Sequence, residues 1–262
     1  MRKSRCFSIL KSALALIVIG FAGFWCAEAR AFTHPGIPLI AADLDAVAAN
    51  LAKEPWNSGY AALAADYRSQ LSYTMQGPFA HVGRNESGTN PNLTQWRNDM
   101  IAIWNLSLMW YFTGNTAYAQ KAHDILLQWA NTQTSFGGIE SGLDLGDYAF
   151  RFGDGADILR GTWPLWTQAD TDKVKALFST VYWPATSLPT DELGPTNKGS
   201  LSMAAAVAIA VFCDDQANWT KFPMGTTDEY QTTSPAPAIP CKSQTRMAGQ
   251  QAKRFYRVTV IP

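Results

Sequence analysis

A helical hairpin between Trp96 and Ala130 constrains this chain more than any other segment. Along its first arm, apolar residues recur at steps of three and four, the spacing that places side chains on one face of an α-helix. These residues are Trp96, Met100, Ile103, Trp104, Leu108 and Tyr111. Thr113, Gly114 and Asn115 are turn residues, and the same spacing resumes after them. The pattern predicts two antiparallel helices, a unit found in toroids, helical repeats and plain bundles.

Further apolar stripes with helical spacing predict that the rest of the domain is also helical. The predicted helices span 41–53, 58–69, 147–160, 167–182 and 200–212. Thr167 and Asp170 form a capping signature at the start of the fourth of these. Glycine and proline residues predict two long loops, 73–91 and 135–145, and long loops often carry functional residues. No strand-like alternation of useful length precedes the tail, so the expected fold class is all-α.

The first 31 residues have the pattern of a secretory signal peptide. Four basic residues (Arg2, Lys3, Arg5 and Lys11) precede or begin an apolar run, which is followed by Ala29-Arg30-Ala31, the small-x-small pattern of a cleavage site. The run is shorter than the about 20 residues that a membrane helix needs. We therefore expect the mature chain to begin at Phe32, to be periplasmic or secreted, and to have no membrane association after cleavage. An uncleaved anchor is the alternative.

The charge balance excludes nucleic acid as an expected partner. The full chain has 21 basic and 21 acidic side chains, but five of the basic ones and only one acidic one precede Phe32, which leaves a net charge of −4. Proteins that follow a phosphate backbone concentrate basic charge instead.

Cys213 and Cys241 are the cysteines that remain after cleavage. A disulfide between them and two separate thiols are both open, and two cysteines do not make a zinc site.

From residue 214 onward the chain loses its helical spacing. Residues 225–240 are rich in Thr, Ser, Pro and Ala, and residues 242–257 contain five basic side chains and no acidic one. Such composition is typical of a disordered or appended segment. The predicted organisation is thus a signal peptide at 1–31, a helical domain at 32–213 and an irregular tail at 214–262.

Several segments together resemble the alginate-lyase-type domain of exported bacterial proteins. They are FTHPGIPL (32–39), YTMQGPFAHVGRN (73–85), QWRNDMIAIWNLSLMWYFTGNTAYAQKA (95–122), LDLGDYAFRFGDGADILRGTWP (143–164) and GPTNKGSLSMAAAVAIAVF (194–212). The resemblance implies an incomplete α/α toroid or barrel of helical hairpins, acting as a monomer on an acidic polysaccharide by β-elimination. Alginate and glucuronan are both open as the substrate, and internal and terminal cleavage as the mode. No cofactor or metal is expected.

β-Elimination on a uronate requires three functions from the protein. The carboxylate must be neutralised, the C5 proton removed and the leaving glycosidic oxygen protonated. The resemblance implies that Asn197, at the start of a predicted helix, neutralises the carboxylate; helix capping is its alternative role. Lys198 follows it where better-known alginate lyases have His, and would supply positive charge but act as a poor base.

The remaining candidates lie on or next to the two predicted loops and on the hairpin. Tyr148 is the candidate acid and Arg151 its neighbouring clamp for the carboxylate, with packing of Tyr148 in the core as the alternative. His81 is the candidate base, and a loop histidine without a catalytic role is the alternative. The proposed substrate-binding residues are Arg84, Asn85, Lys198, Arg151, Trp96 and Arg97. For Trp96 and the other hairpin tryptophans, packing in the core is the alternative.

Two functions from other classes compete with a lyase. A non-catalytic carbohydrate-binding protein would need only the helical scaffold; a faint tetratricopeptide likeness near Tyr118 is not repeated at about 34 residues. A glycoside hydrolase on a similar barrel would use two of the carboxylates Glu140, Asp144 and Asp147.

Because the domains that this chain resembles continue with further hairpins, we also expect a truncation after about residue 212, through a reading-frame change between Phe212 and Trp219. Such a form would lack part of the site.

Overall fold

The computed structural model describes residues 32–36, 39–186 and 197–219. Its helices are α1 (Ala41–Ala48), α2 (Trp56–Ala65), α3 (Leu93–Thr113), α4 (Thr116–Thr132), α5 (Ser141–Asp147), α6 (Gly155–Thr162), α7 (Gln168–Leu177), α8 (Trp183–Ala185), α9 (Asn197–Cys213) and α10 (Gln216–Trp219). Two three-residue strands, β1 (His81–Gly83) and β2 (Ser135–Gly137), pair in parallel with His81 opposite Ser135. The all-α prediction is confirmed, with this short strand pair added to it.

The predicted hairpin is formed by α3 and α4, and its turn residues act as the sequence indicated. Gly114 ends α3 in the left-handed conformation, with φ of 67°, which glycine adopts without strain. Asn115 caps α4, since its side chain accepts a hydrogen bond from the backbone N–H of Ala117 at 3.1 Å. Trp96 and Trp129 are fully buried between the two helices and their neighbours. The hairpin thus forms the centre of the hydrophobic core.

A buried carboxylate attaches the loop that precedes this hairpin to it. Asp99, on α3, accepts hydrogen bonds from the Tyr73 hydroxyl at 2.6 Å and from the backbone N–H groups of Gln76 and Gly77 at 2.9 Å. The indole N–H of Trp129 donates at 2.9 Å to Asp99 Oδ2, the oxygen that also accepts from Gly77, whereas Tyr73 and Gln76 donate to Oδ1. Because a buried charge is stable only when such donors surround it, Asp99 fixes the path of the chain toward β1.

The segment 135–145 differs from its prediction as a loop, because it contains β2 and most of α5. Gly142 is one of the glycines on which the loop prediction depends, yet Gly142 and the nearby Gly146 are positions at which α5 contacts α9. A Cβ atom at Gly142 would collide with the Ser202 side chain, and one at Gly146 would collide with the backbone of Leu201. The glycines are therefore needed for close helix packing rather than for a turn.

The two later helical predictions hold with local changes. The capping box of α7 is present, with Thr167 and Asp170 each bonded to the other's backbone. The helix predicted at 147–160 is interrupted by a π-helical turn at Phe150–Asp154, and a second π-helical turn, Phe178–Tyr182, follows α7. These wider turns place Phe152, Phe178 and Tyr182 in contact within the core.

The described structure continues past the predicted domain end at residue 213. Asp214 is bonded to side chains of α6 and α7, and α10 follows it. The predicted signal peptide at 1–31, the tail from residue 220 and Cys241 lie outside the described residues. Within the described ranges, no helix combines the length and the apolar character that crossing a membrane requires.

Candidate active site

A buried aspartate holds two of the predicted substrate-binding arginines. Arg84 directly follows β1, Arg97 lies on α3, and Asp144 lies on α5, where its side chain is completely buried. Arg84 Nη1 donates to Asp144 Oδ2 at 2.7 Å, and Arg97 donates to Oδ1 from Nε at 2.7 Å and from Nη2 at 2.6 Å. Arg84 Nε also donates to Glu140 at 3.1 Å. The structure thus brings Arg84 and Arg97 together. Each planar guanidinium group has several N–H donors, so both arginines can bind the same carboxylate.

The pairing of β1 with β2 positions Arg84 next to α5. Pairing of β1 with β2 continues beyond the strands, since the Arg84 N–H donates to the Gly137 carbonyl at 3.0 Å. Burial by itself would lower the pKa of Arg84, but Asp144 and then Glu140 more than offset this and raise it. The guanidinium therefore stays cationic.

A cleft of about 290 Å³ opens beside these arginines. The polar residues that line it are Arg84, Asn85, Asn90, Thr94, Arg97 and Glu140. Asn85 adopts the left-handed conformation, with φ of 51°, and its N–H donates to the Asn90 side chain at 2.8 Å. A polar cleft with two arginines in its wall suits an anionic, hydroxyl-rich ligand.

Tyr148, the candidate acid, lies between two guanidinium groups and the core. The Arg151 guanidinium carbon is 4.7 Å from the centre of its ring, and that of Arg97 is 5.8 Å from it. Burial raises the pKa of Tyr148, while the charges of Arg151 and Arg97 oppose that rise. Within the described part of the chain, its hydroxyl has no hydrogen-bond partner. The hydroxyl is therefore available for proton transfer.

Arg151 differs from the other two arginines in its surroundings. Its Nη1 donates to the Asp147 carbonyl at 2.6 Å, and its guanidinium lies 4.3 Å from the centre of the Phe150 ring. Among the described residues it forms no ion pair with a carboxylate, and burial lowers its pKa. A partly buried cation of this kind favours an anionic ligand.

His81, the candidate base, has both ring nitrogens in use. Nδ1 lies 2.8 Å from the Ser135 hydroxyl oxygen and Nε2 lies 2.6 Å from a Glu86 carboxylate oxygen. Its backbone is fixed by β1, three residues before Arg84. To act as a base, His81 would have to release one of these two partners.

Asn197 and Lys198 are the first two residues of α9, which begins three residues earlier than predicted. Their side chains lie outside the described structure, so their roles stay predictions. Because α9 packs on α5, the backbone at the start of α9 is tied to the helix that carries Asp144.

Trp96 requires a correction. It is completely buried, its indole N–H donates to the Tyr182 hydroxyl at 2.9 Å, and its ring packs against Phe136 and Tyr148. It therefore packs in the core and supports Tyr148 from that side. Periodicity had already offered this alternative.

Two residues of the site have roles that the sequence did not indicate. Asp144 appeared only as a hydrolase carboxylate, yet it anchors two arginines. Arg68, paired with Asp66 at 2.7 Å, contributes positive potential at Tyr148 and Arg151. No spacing rule connects Arg68 to residues 80 positions away.

Among described residues, no group of three His, Cys, Asp or Glu side chains is placed to hold a metal ion.

Comparison with known proteins identifies a solved structure with a similar fold and a family to which the chain belongs. The solved structure of alginate lyase A1-III from Sphingomonas species A1 is similar, with a TM-score of 0.50 and 20% sequence identity. The match covers 68% of this chain and 55% of that one, and it shows a shared fold. The family model for alginate lyase matches residues 52–223, so the chain belongs to the alginate lyase family. No curated protein is similar enough to this chain to count as a relative.

Proposed function

We propose that this protein is a polysaccharide lyase that cleaves a uronic-acid polysaccharide, such as alginate or glucuronan, by β-elimination. The observation that carries the proposal is the position of Tyr148 next to the guanidinium groups of both Arg97 and Arg151, with its hydroxyl available. Family membership supports the reaction class, and the polar cleft lined by Arg84 and Asn85 supports an acidic sugar as ligand.

The reaction needs positive charge near the uronate carboxylate. Neutralising that carboxylate makes the C5 proton acidic enough to be removed, and the electron pair then forms the C4–C5 double bond as the C4–O bond breaks. Arg151 is suited to this task because its charge is not already matched by a protein carboxylate among the described residues. Arg97 and Arg84, whose charges Asp144 partly offsets, would orient the neighbouring sugar through their remaining N–H donors.

Proton transfer is assigned to Tyr148. As a neutral hydroxyl it can give its proton to the leaving glycosidic oxygen, which leaves a tyrosinate; as a tyrosinate it could instead accept the C5 proton, and the nearby arginines stabilise that anion in either role. His81 is the second candidate for the base, and Asn197 and Lys198 are further candidates for neutralising the carboxylate at the start of α9.

The test is product chemistry. Purified protein is incubated separately with alginate and glucuronan, and formation of the unsaturated uronate is followed by its ultraviolet absorbance. A lyase produces ultraviolet absorbance and new reducing ends in equal proportion, because each cleavage gives one of each. Tyr148→Phe should remove both signals. New reducing ends without absorbance would indicate a hydrolase. Saturable binding with neither signal would indicate a carbohydrate-binding protein.

We also propose that the chain is exported, with residues 1–31 removed, and that it acts as a monomer in the periplasm or outside the cell. The basic residues, apolar run and Ala29-Arg30-Ala31 sequence support export. The intact mass and N-terminal sequence of the exported protein test the cleavage, and light scattering after gel filtration tests the monomer.

A further inference from the structure

The segment that begins the described domain is held by two carboxylates. The backbone nitrogen of Phe32 donates to Asp214 Oδ1 at 3.2 Å, and that of Gly36 donates to Asp157 Oδ2 at 2.6 Å. Between them, the His34 ring lies with Nδ1 2.5 Å from Asp157 Oδ1 and Nε2 3.0 Å from Asp214 Oδ1. The segment is therefore fixed to α6, which carries Asp157, and to the residue that follows α9.

Asp214 uses its two oxygens differently. Oδ2 contacts Arg160 Nη2 at 2.6 Å and Lys175 Nζ at 3.0 Å, whereas Oδ1 faces His34 and the Phe32 nitrogen. The Asp214 side chain is only 19% exposed, so water screens these contacts less than it would at an open surface. Oδ1 is thus placed to pair with a positive charge at the Phe32 nitrogen.

Phe32 is also the residue that directly follows the predicted cleavage site, Ala29-Arg30-Ala31. We propose that removal of residues 1–31 converts the Phe32 nitrogen into an α-ammonium group, which Asp214 binds as an ion pair. This inference uses the proposed export leader and does not depend on the lyase activity.

The chemical change at Phe32 is simple and balanced. A signal peptidase uses one water molecule to break the Ala31–Phe32 amide bond, which leaves a carboxylate on Ala31 and an amine on Phe32. The amine takes up a proton near neutral pH, since an α-amino group has an ordinary pKa of about 7.7–8.0. One neutral donor at Asp214 becomes a cation with three donors, so the domain gains an ion pair only after processing.

The test compares two versions of the chain that both run to residue 262. One begins at Phe32, released from a fusion that leaves no extra residue, and the other retains Ala31. We expect the Phe32 version to melt about 2–4 °C higher. In the presence of Asp214→Asn this difference should disappear. Selective acetylation of the Phe32 amine should lower its melting temperature to that of the Ala31 version, which checks the proposal without altering Asp214.

The amine itself gives an independent readout. After ¹³C-methylation, its NMR titration should show a pKa about one pH unit higher in the unsubstituted protein than in the Asp214→Asn variant, because the substitution removes the adjacent anion. Equal melting temperatures for the two versions, equal amine pKa values, or an exported protein that begins elsewhere than Phe32 would each overturn the proposal. A mature start elsewhere would leave the lyase assignment untouched.

Discussion

The guanidinium group of Arg151 lies over the ring of Tyr148, with 4.7 Å between the guanidinium carbon and the ring centre. The two residues are one helical turn apart, and the backbone of that turn is set by the end of α5 and the π-helical turn that follows. Arg97 approaches the same ring from α3. The tyrosine that we propose for proton transfer is therefore bound on its face by positive charge and supported from the core by Trp96.

Tyr148→Phe should abolish most lyase activity without unfolding the domain. We expect kcat to fall by about 10²–10⁴, the usual contribution of a general acid or base. Stability should change little, since the hydroxyl has no partner among the described residues and the ring stays in place. Unsaturated product and thermal melting are measured on the same sample. Retention of activity within a factor of about five would exclude Tyr148 from proton transfer.

Arg151→Gln should move the pH profile as well as weaken binding. Burial raises the pKa of Tyr148 and the charge of Arg151 limits that rise, so removing the charge should raise this pKa further. The limb of the activity profile that Tyr148 controls should therefore shift to higher pH. Arg151→Lys, which keeps a charge, should shift less. A lower kcat with an unchanged pH profile would argue that Arg151 does not act on Tyr148.

Asp144→Asn should be among the most damaging changes in the site. It leaves Arg84 and Arg97 without their shared carboxylate, and breaking a buried ion pair from one side costs about 3 kcal/mol or more of unfolding free energy. Because both arginines line the cleft, KM should also rise. Glu140→Gln is the matched control: it removes the charge of a partner of Arg84 whose side chain is 35% exposed, and should cost about 0–1 kcal/mol. Similar losses of stability in the two variants would refute the anchoring role of Asp144.

His34 should make the domain more stable at mildly acidic than at alkaline pH. Burial lowers the pKa of His34, but Asp157 and then Asp214 more than offset this, and the net pKa lies above the ordinary value of 6.5. A raised pKa in the folded state gives stabilisation that is complete below the unfolded value and is lost as pH rises through the folded value. Denaturant unfolding in steps above and below pH 6.5 measures this, and His34→Gln should flatten the dependence. An unchanged slope in the variant would assign the effect to other groups.

Trp96→Phe should behave as a core substitution. The variant loses the bond from the indole N–H to the Tyr182 hydroxyl and part of the packed volume, and we expect a loss of about 2–4 kcal/mol in unfolding free energy. KM for the polysaccharide should stay within about twofold once the protein is folded, since a change in binding requires contact with the ligand. The exposed Trp56 provides a control, because Trp56→Phe should change stability by less than about 0.5 kcal/mol. A large rise in KM for Trp96→Phe alone would restore it as a ligand contact.

The hairpin was predictable because each of its signals is local. Its apolar spacing, the left-handed Gly114 and the Asn115 cap involve residues within one or two turns of each other. The same holds for the Thr167 and Asp170 capping box. Local signals misled at α5, where Gly142 resembles a loop residue until α9 is packed against it.

The site was predictable in part, because its residues were recognised but not their partners. Tyr148 and Arg151 are near in sequence, so their proximity follows from helical geometry. The bonds from Arg97 and Arg84 to Asp144 span 47 and 60 residues, and no periodic pattern links such positions. The carboxylate that organises the arginines was therefore visible only as one of three acidic candidates.

The contact of α5 with α9 through Gly142 and Gly146 sets how this site tolerates mutation. At Gly146 the α5 backbone lies directly against the backbone of Leu201 in α9, so there is no side-chain rotamer that could relax to admit a larger residue. Even one added methyl group at Gly146 must push α9 away from α5, and with it the backbone that begins at Asn197. Sequence drift at these glycines would therefore separate the arginine cleft from α9 while much of the helical core persisted, and activity would be lost before the fold.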